Sequence, residues 1–365
     1  MITNSGINLL SKYIAGQLPT FASHIAIGCG PNALSSASSF SSLPYSTKTS
    51  MDLEMIRIPI TSRAVRIIGT DSYVVFTGEL PSADRYAFTE IGIYPAEKSN
   101  TPGSVDSTVI SNFSNAESWI AHNNTASSEL NVESEVEISG SINPASGDSV
   151  FILNSDNAMF AGDRLTRQEQ PRYLNEAIAI KGNYSSVSSG SLVYTGKHIH
   201  KFGVDLSALD AANEVVDELR LGFSVVSTSA VDASNPGSTD IKIAIDFCSN
   251  DPNAAAPTVY ARWEINPTVT STTRYQVAST KLYPLTKTAT FTWSQVQYIR
   301  IYANINSSAN YYLLLDALRF ENLSAIDSQY SLGGYTVVVN TNSQPIIKEE
   351  NGASLIEYRF KVDVA

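Results

Sequence analysis

His198-Ile199-His200 is the one place in this chain where two histidines recur at strand spacing. Residues i and i+2 of a strand share a face about 7 Å apart, so two imidazoles there could hold a transition metal if a third ligand joined them. The sequence identifies no third ligand, and the plain reading is two strand residues without a metal. His24 and His122 stand alone, and four histidines in all leave few general bases. Glycoside hydrolysis would need two carboxyls brought together in space, whatever their separation in sequence. Asp205, Asp210, Glu214, Asp217, Glu218 and Asp246 are candidates, but nothing in their spacing marks a pair. Asp148, Asn154, Asp156 and Asp316 have the oxygen chemistry of a structural calcium site, without the ligand spacing of an EF-hand. Gly-x-Ser-x-Gly, Walker A, His-Glu-x-x-His and dinucleotide fingerprints are all missing. The expectation is a non-enzyme with no catalytic residue, no cofactor and no metal, a structural calcium being the one exception left open.

Cys29 and Cys248 lie far apart, in no Cys-x-x-Cys pattern, and are expected as two buried free thiols of a chain folded in a reducing cytoplasm. Trp119, Trp263 and Trp293 sit in or beside apolar stretches and are expected in a core. Exposed Tyr is favoured on sugar-stacking and protein-binding surfaces, but the 18 tyrosines mark no glycan site by position, so glycan-binding residues remain unassigned.

The elements that must position these groups are strands. Apolar residues make up 43% of the 365 and charged residues only 16%, with Ser, Thr, Asn and Tyr in place of the missing charge. Thr, Tyr and Val fit a pleated sheet, and Asn and Ser fit its turns. The fold class is therefore all-β. A net charge of −11 without any basic cluster argues against nucleic acid as a partner. No run approaches the ~20 apolar residues of a membrane span, so membrane insertion is not expected.

Along the chain, a short helix comes first, with Asn4 or Ser5 as its cap, Ile7, Leu10, Tyr13 and Ile14 on one face, and Gly16 as its stop. Strands are expected at Phe21–Ile27, Met51–Ile60, Ala64–Ile68, Tyr73–Leu80 and Tyr86–Tyr94, joined by tight turns as in an antiparallel sandwich. A polar stretch at 95–108 ends this first part. Residues 109–322 hold many further strands, among them Ser149–Leu153, Glu176–Ile180, Leu192–Tyr194, Leu219–Val226, Ile241–Phe247, Val259–Ile265, Thr290–Thr292, Tyr298–Tyr302 and Tyr311–Phe320, with a helical turn at Asp210–Glu218. So many strands in one span imply a two-sheet jelly roll. The last strand, Ile356–Val364, alternates most cleanly: Ile356, Tyr358 and Phe360 on one face, Glu357, Arg359 and Lys361 on the other. Two terminal strands make a marginal domain alone. The expected organisation is a base domain of 1–108 completed by 323–365, with the jelly roll of 109–322 inserted between them.

Two stretches resemble known families. "ITNSGINLLSKYIAGQLPTFASHIAIGCGPN" (2–32) together with "YAFTEIGIYPA" (86–96), holding Glu90, Ile91, Gly92, Ile93 and Tyr94, resembles the opening and the attachment strand of bacteriophage tail-collar and tail-fibre proteins. "SNFSNAESWIAHNN" (111–124), "VDLSALDAANEVVDELRLGFSV" (204–225) and "FTWSQVQYIRIYANINSSANYYLLLDALRFEN" (291–322) are similar to strands of carbohydrate-binding-module-like jelly rolls. The resemblance implies a virion structural protein, a tail or baseplate fibre or adaptor, docking through its base and displaying the jelly roll outward. It also implies other virion proteins as partners, a homo-oligomer with a trimer favoured, and contact with host-surface glycans. Assembly in the host cytoplasm and release by lysis fit the lack of a signal peptide. The alternatives are a capsid decoration or head-fibre protein, and a free glycan-binding module.

Overall fold

The computed structural model describes residues 2–30, 47–97, 108–113, 119–122, 129–131, 141–142, 149–153, 159–160, 163–164, 172, 176–181, 195–201, 205–227, 241–251, 258–265, 275–305, 311–323, 330–338 and 344–362. Helix α1 (Asn4–Ile14) opens the chain. Its cap is Thr3, rather than Asn4 or Ser5: the Thr3 backbone is extended, its hydroxyl oxygen accepts from the Gly6 N–H at 2.9 Å, and the hydroxyl donates to the Leu332 carbonyl. Gly16, with φ +73°, follows the helix in the left-handed conformation that stops it. The apolar stripe is not the docked face, since Ile7 is 56% and Ile14 77% exposed, while Ser5, Gly6 and Leu9 are buried. Close approach decides this: a Cβ on Gly6 would lie 1.8 Å from the Gly333 carbonyl oxygen, so the small-residue side packs down.

The base sheet has six strands from both ends of the chain: β1 (His24–Gly28), β2 (Glu54–Ile68), β3 (Asp71–Leu80), β5 (Glu90–Tyr94), β22 (Gly334–Val337) and β24 (Ser354–Val362). Their order is β22-β5-β1-β2-β3-β24. A two-stranded sheet of β4 (Tyr86–Phe88) and β23 (Ile346–Lys348) lies beside it. Where separate strands at Met51–Ile60 and Ala64–Ile68 are expected, β2 is continuous. Its register against β3 shifts between Ile60 and Ser62, and that irregularity breaks the alternation a reader of the sequence relies on. Conversely, the expected strand Tyr86–Tyr94 is divided at Thr89, whose N–H bonds to the Gly28 carbonyl at 2.9 Å.

Two larger sheets form a sandwich of jelly-roll type. One holds β10 (Ser149–Leu153), β13 (Glu176–Lys181), β21 (Tyr311–Glu321), β15 (Glu218–Ser227) and β18 (Tyr275–Lys281), with β6 (Thr108–Ser111) also on β21. The other runs β19 (Thr286–Lys287), β17 (Tyr260–Ile265), β16 (Ile241–Cys248), β20 (Tyr298–Ile305), β14 (Thr195–Lys201), β7 (Ile120–His122), β8 (Glu129–Asn131). A small third sheet joins β12 (Asp163–Arg164), β11 (Met159–Phe160) and β9 (Ser141–Ile142). The all-β reading is borne out, and so is the helical turn, as α2 (Ala211–Val216). Thr290–Thr292 is not a strand; it leads into a single 3-10 turn at Trp293–Gln295. The expected strand Leu192–Tyr194 lies outside the described residues.

Between the two large sheets Phe247 of β16 packs edge-on against Trp263 at 5.1 Å and Trp293 at 5.8 Å, and stacks on Phe320 of β21 at 5.8 Å. All three tryptophans are buried, as expected. The indole N–H of Trp263 donates to the Leu282 carbonyl at 3.2 Å and that of Trp293 to Glu214 at 3.0 Å, so the rings enter the core with their polar atoms paired.

Candidate functional site

Strand β21 shows how the sandwich meets the base. Leu313 and Leu315 point into the sandwich core, then Leu318 and Phe320 do, so the phase slips by one residue. The slip is a bulge against β15: Ala317 lies opposite Gly222 and Leu315 opposite Phe223, leaving Asp316 without a counterpart. Asp316 and Ala317 are thereby aimed at the base, where Ala317 and Tyr275 join the core around Leu53 and Cys29. The Asp316 carboxylate accepts from the Tyr275 hydroxyl at 2.6 Å and the Arg172 backbone N–H at 3.0 Å, and Arg172 in turn donates to the Gly30 carbonyl at 3.2 Å. The Arg172 guanidinium lies over the Tyr275 ring at 4.1 Å. Burial pushes the Cys29 thiol up, and it rests 3.2 Å from the Tyr275 hydroxyl as an inert packing group.

A second clamp lies nearby. Glu90 accepts from the backbone N–H groups of Asp52 at 3.0 Å and Leu53 at 2.9 Å and from the Tyr335 hydroxyl at 2.8 Å. From the sandwich side, Arg220 of β15 donates to the carbonyls of Met51 at 2.5 Å and Asp52 at 3.1 Å. The segment 50–53 is thus held by an acid of the base and a base of the sandwich. The Glu90–Tyr94 motif reads as structural throughout. A Cβ on Gly92 would come within 2.8 Å of Leu332 and 2.9 Å of the Met51 sulfur, and Tyr94 supports the Arg57 guanidinium at 3.6 Å.

The surface that could meet a ligand is the outer side of β17, β16 and β20. Ile243, Ile245 and Phe247 take the inner side of β16, so Asp246 and Cys248 take the outer one. Asp246 lies opposite Arg262 on β17 and Arg300 on β20, and Cys248 lies opposite Tyr260 and Tyr298. Arg262 grips the Asp246 carboxylate through two bonds of 2.6 and 2.8 Å; Arg300 adds bonds of 3.0 and 2.5 Å. Glu264, two residues from Arg262 on the same side of β17, is opposite Ala244, so the two guanidiniums share the face with two carboxylates. Tyr260, Tyr298 and Arg262 are each half-buried, and Arg262 stands 5.7 Å from the Tyr260 ring centre. Cys248 lies beneath them, its thiol pushed up to about 12 by burial and then by Asp246. Rigid aromatic faces beside fixed guanidinium donors can stack on a sugar ring and bond its hydroxyls.

The other candidates are dispersed. Asp205 is exposed and accepts from the Ser207 N–H, which lowers its pKa. Asp210 caps α2 in a reciprocal box with Asn213. Glu214 is buried and binds Lys287 at 2.7 Å as well as the Trp293 indole. Asp217, raised by burial, accepts from Asn213 and from the Leu323 N–H. Glu218 pairs with Arg220. Of the calcium set only Asp316 is described, at the junction; Asp148, Asn154 and Asp156 lie outside the described residues. His198 and His200 are on β14, opposite Ile301 and Ile299 of β20, while His122 ends β7 opposite Lys197. His24 sits half-buried with its Nδ1 2.7 Å from the Ser23 hydroxyl, its pKa lowered by burial and then by Arg57. Among the described residues no group of three His, Cys, Asp or Glu is placed to hold a metal. Both cysteines are free and buried, as expected. No described helix is long and apolar enough to cross a membrane. Sequence reasoning missed the Arg262–Asp246–Arg300 face, although a signal exists: Tyr-x-Arg occurs at both 260–262 and 298–300.

No family model and no curated protein matches this chain. Among solved structures it is similar to the K2 cleaved adhesin domain of Lys-gingipain, at 11% identity over 59% of this chain and 97% of that one, with a TM-score of 0.28. It is also similar to a family 30 carbohydrate-binding module, at 13% identity over 40% and 68% of the two chains and a TM-score of 0.25. A third is the family 30 module of a cellulosomal cellulase of Clostridium thermocellum, at 11% identity over 40% and 74%, with a TM-score of 0.24. These three are an adhesin domain and two carbohydrate-binding modules, at a distance too great to transfer a site or a role.

Proposed function

We propose that this chain is a non-catalytic structural and adhesive component of a bacteriophage particle, a tail or baseplate fibre or adaptor. Its base docks to other virion proteins, and its sandwich presents the β17–β16–β20 face to host-surface glycans. The observation that carries the adhesive part is that face: half-buried Tyr260 and Tyr298 beside guanidiniums locked on Asp246. The non-catalytic part is supported by the candidate carboxylates, each engaged as a helix cap, an ion pair or a backbone clamp. The attachment part draws on Glu90, Gly92 and Tyr94, whose packing accounts for the tail-fibre-like motif. We further assign the base to 1–108 with 323–365 and the inserted sandwich to 109–322.

A glycan array with the purified chain tests adhesion. Micromolar binding that weakens at least about tenfold in Tyr260→Ala and in Arg262→Ala is the expected result. An array without hits, or hits indifferent to both changes, removes the adhesive role. Product release from host capsule or cell-wall polysaccharide would overturn the non-catalytic reading. Labelling the chain in an imaged phage particle decides the virion setting.

A further inference from the structure

We propose that strand β24 pairs with β24 of a second copy of this chain, antiparallel about a two-fold axis through Tyr358, so that the two base sheets become continuous. Strand β24 ends the base sheet: it pairs with β3 on one side, and among the described residues no strand pairs its other side. An open edge is a row of backbone donors and acceptors that another strand can complete.

The residues of β24 suit β24 itself. In an antiparallel pair with Tyr358 opposite Tyr358, each residue meets the one equally far on the other side, and the faces are preserved because the side-chain period is two. Glu357 then lies opposite Arg359 of the second copy, and Arg359 opposite Glu357. Ile356 meets Phe360 on the core side, and Leu355 meets the aliphatic stem of Lys361 on the outer side. From Leu355 to Lys361 every opposition off the axis is of unlike charge, apolar, or apolar against a long stem, and directly opposed pairs of this kind stabilise a sheet. Leu355 is 72% exposed in the single chain, and pairing would cover it. Within one chain Glu357 already contacts Arg66 at 3.2 Å and Arg359, and Lys361 contacts Asp71 at 3.1 Å. These are exposed ion pairs that can share their charges across the axis at little cost. A two-fold contact of one patch with itself closes at a dimer.

The test is the mass of the full chain in solution at about 50 µM, by light scattering on a sizing column. The expected particle has twice the chain's 39.4 kDa. Glu357→Lys and Arg359→Glu, each alone, place like charges opposite one another and should shift the protein to monomer, weakening association at least about tenfold. The double variant restores unlike pairs and should return the dimer. A wild-type monomer, a trimer, or single variants that stay dimeric would overturn the proposal. If a variant fails to fold, hydrogen exchange on the wild type decides: the amides of 355–361 that face away from β3 must gain protection with rising concentration, and unchanged exchange refutes the pairing.

Discussion

Glu90 is fully buried, and that burial, followed by the negative Asp52 beside it, raises its pKa from the usual 4.5 to about 7. A carboxyl with a folded pKa above its unfolded one favours the fold in its acid form. Its contribution is whole below pH 4.5 and fades as pH rises through about 7. Urea titrations at pH 5 and pH 8 should therefore find the chain less stable at pH 8. Glu90→Gln cannot titrate and should lose this part of the difference; identical pH dependence in both proteins would count against it. Asp246 is held instead by two guanidiniums, of Arg262 at 2.6 Å and Arg300 at 2.5 Å. Asp246→Ala leaves Arg300 buried without that partner and should cost about 3 kcal/mol in chemical denaturation. Arg262→Ala, at the wetter rim, should cost about 1 kcal/mol. At this scale the sequence was partly legible. The prominence of Glu90 and Gly92 was visible, but their work was not, because Asp52, Leu53, Leu332 and Tyr335 reach them only through the fold.

Strands that alternate cleanly were readable, and those that do not were not. The eleven-residue β21 was expected, but its bulge at Asp316 hides because apolar residues flank the aspartate on both sides, Leu313 to Leu315 and Ala317 to Leu318, and no alternation marks the slip. Weak apolar periodicity concealed β18, which is fixed by long-range pairing with β15 instead of by its own pattern. Helix α1 was legible in type and end, yet its docked side was not, since Gly6 is buried for lack of a side chain. The same logic governs Gly222 on β15. A Cβ there would stand 2.5 Å from the Tyr275 hydroxyl and 2.8 Å from Leu53, so Gly222→Ala should cost about 1–3 kcal/mol. Gly69→Ala meets open space and tests only a turn with φ +65°, so it should cost less than Gly222→Ala in the same denaturation experiment.

Across the whole molecule, the base and the sandwich share the core around Leu53, Tyr275 and Ala317 and the polar clamps of Arg172 and Arg220. Calorimetry should show one unfolding transition, and Arg220→Ala, which removes the bonds to the Met51 and Asp52 carbonyls and the Ser50 hydroxyl, should separate it into two. A single unsplit transition in the variant would mean that the shared core alone suffices. The return of the C-terminal strands to the first sheet was legible because a clean alternation such as that of β24 needs neighbours. The junction was not, being built from residues scattered from Cys29 to Asp316. The pairing of Gly334 with Ile93 across β5 and β22 also dictates an order of events. Nearly the whole sandwich is synthesised between those two partners, so during translation the base sheet must wait, incomplete, with β3 and β5 unpaired on their outer sides. A sandwich that folds early brings the two ends of its own span together and spares the base most of the entropy of closing so long a loop. The sandwich, by this geometry, is the scaffold on which the base sheet finishes folding.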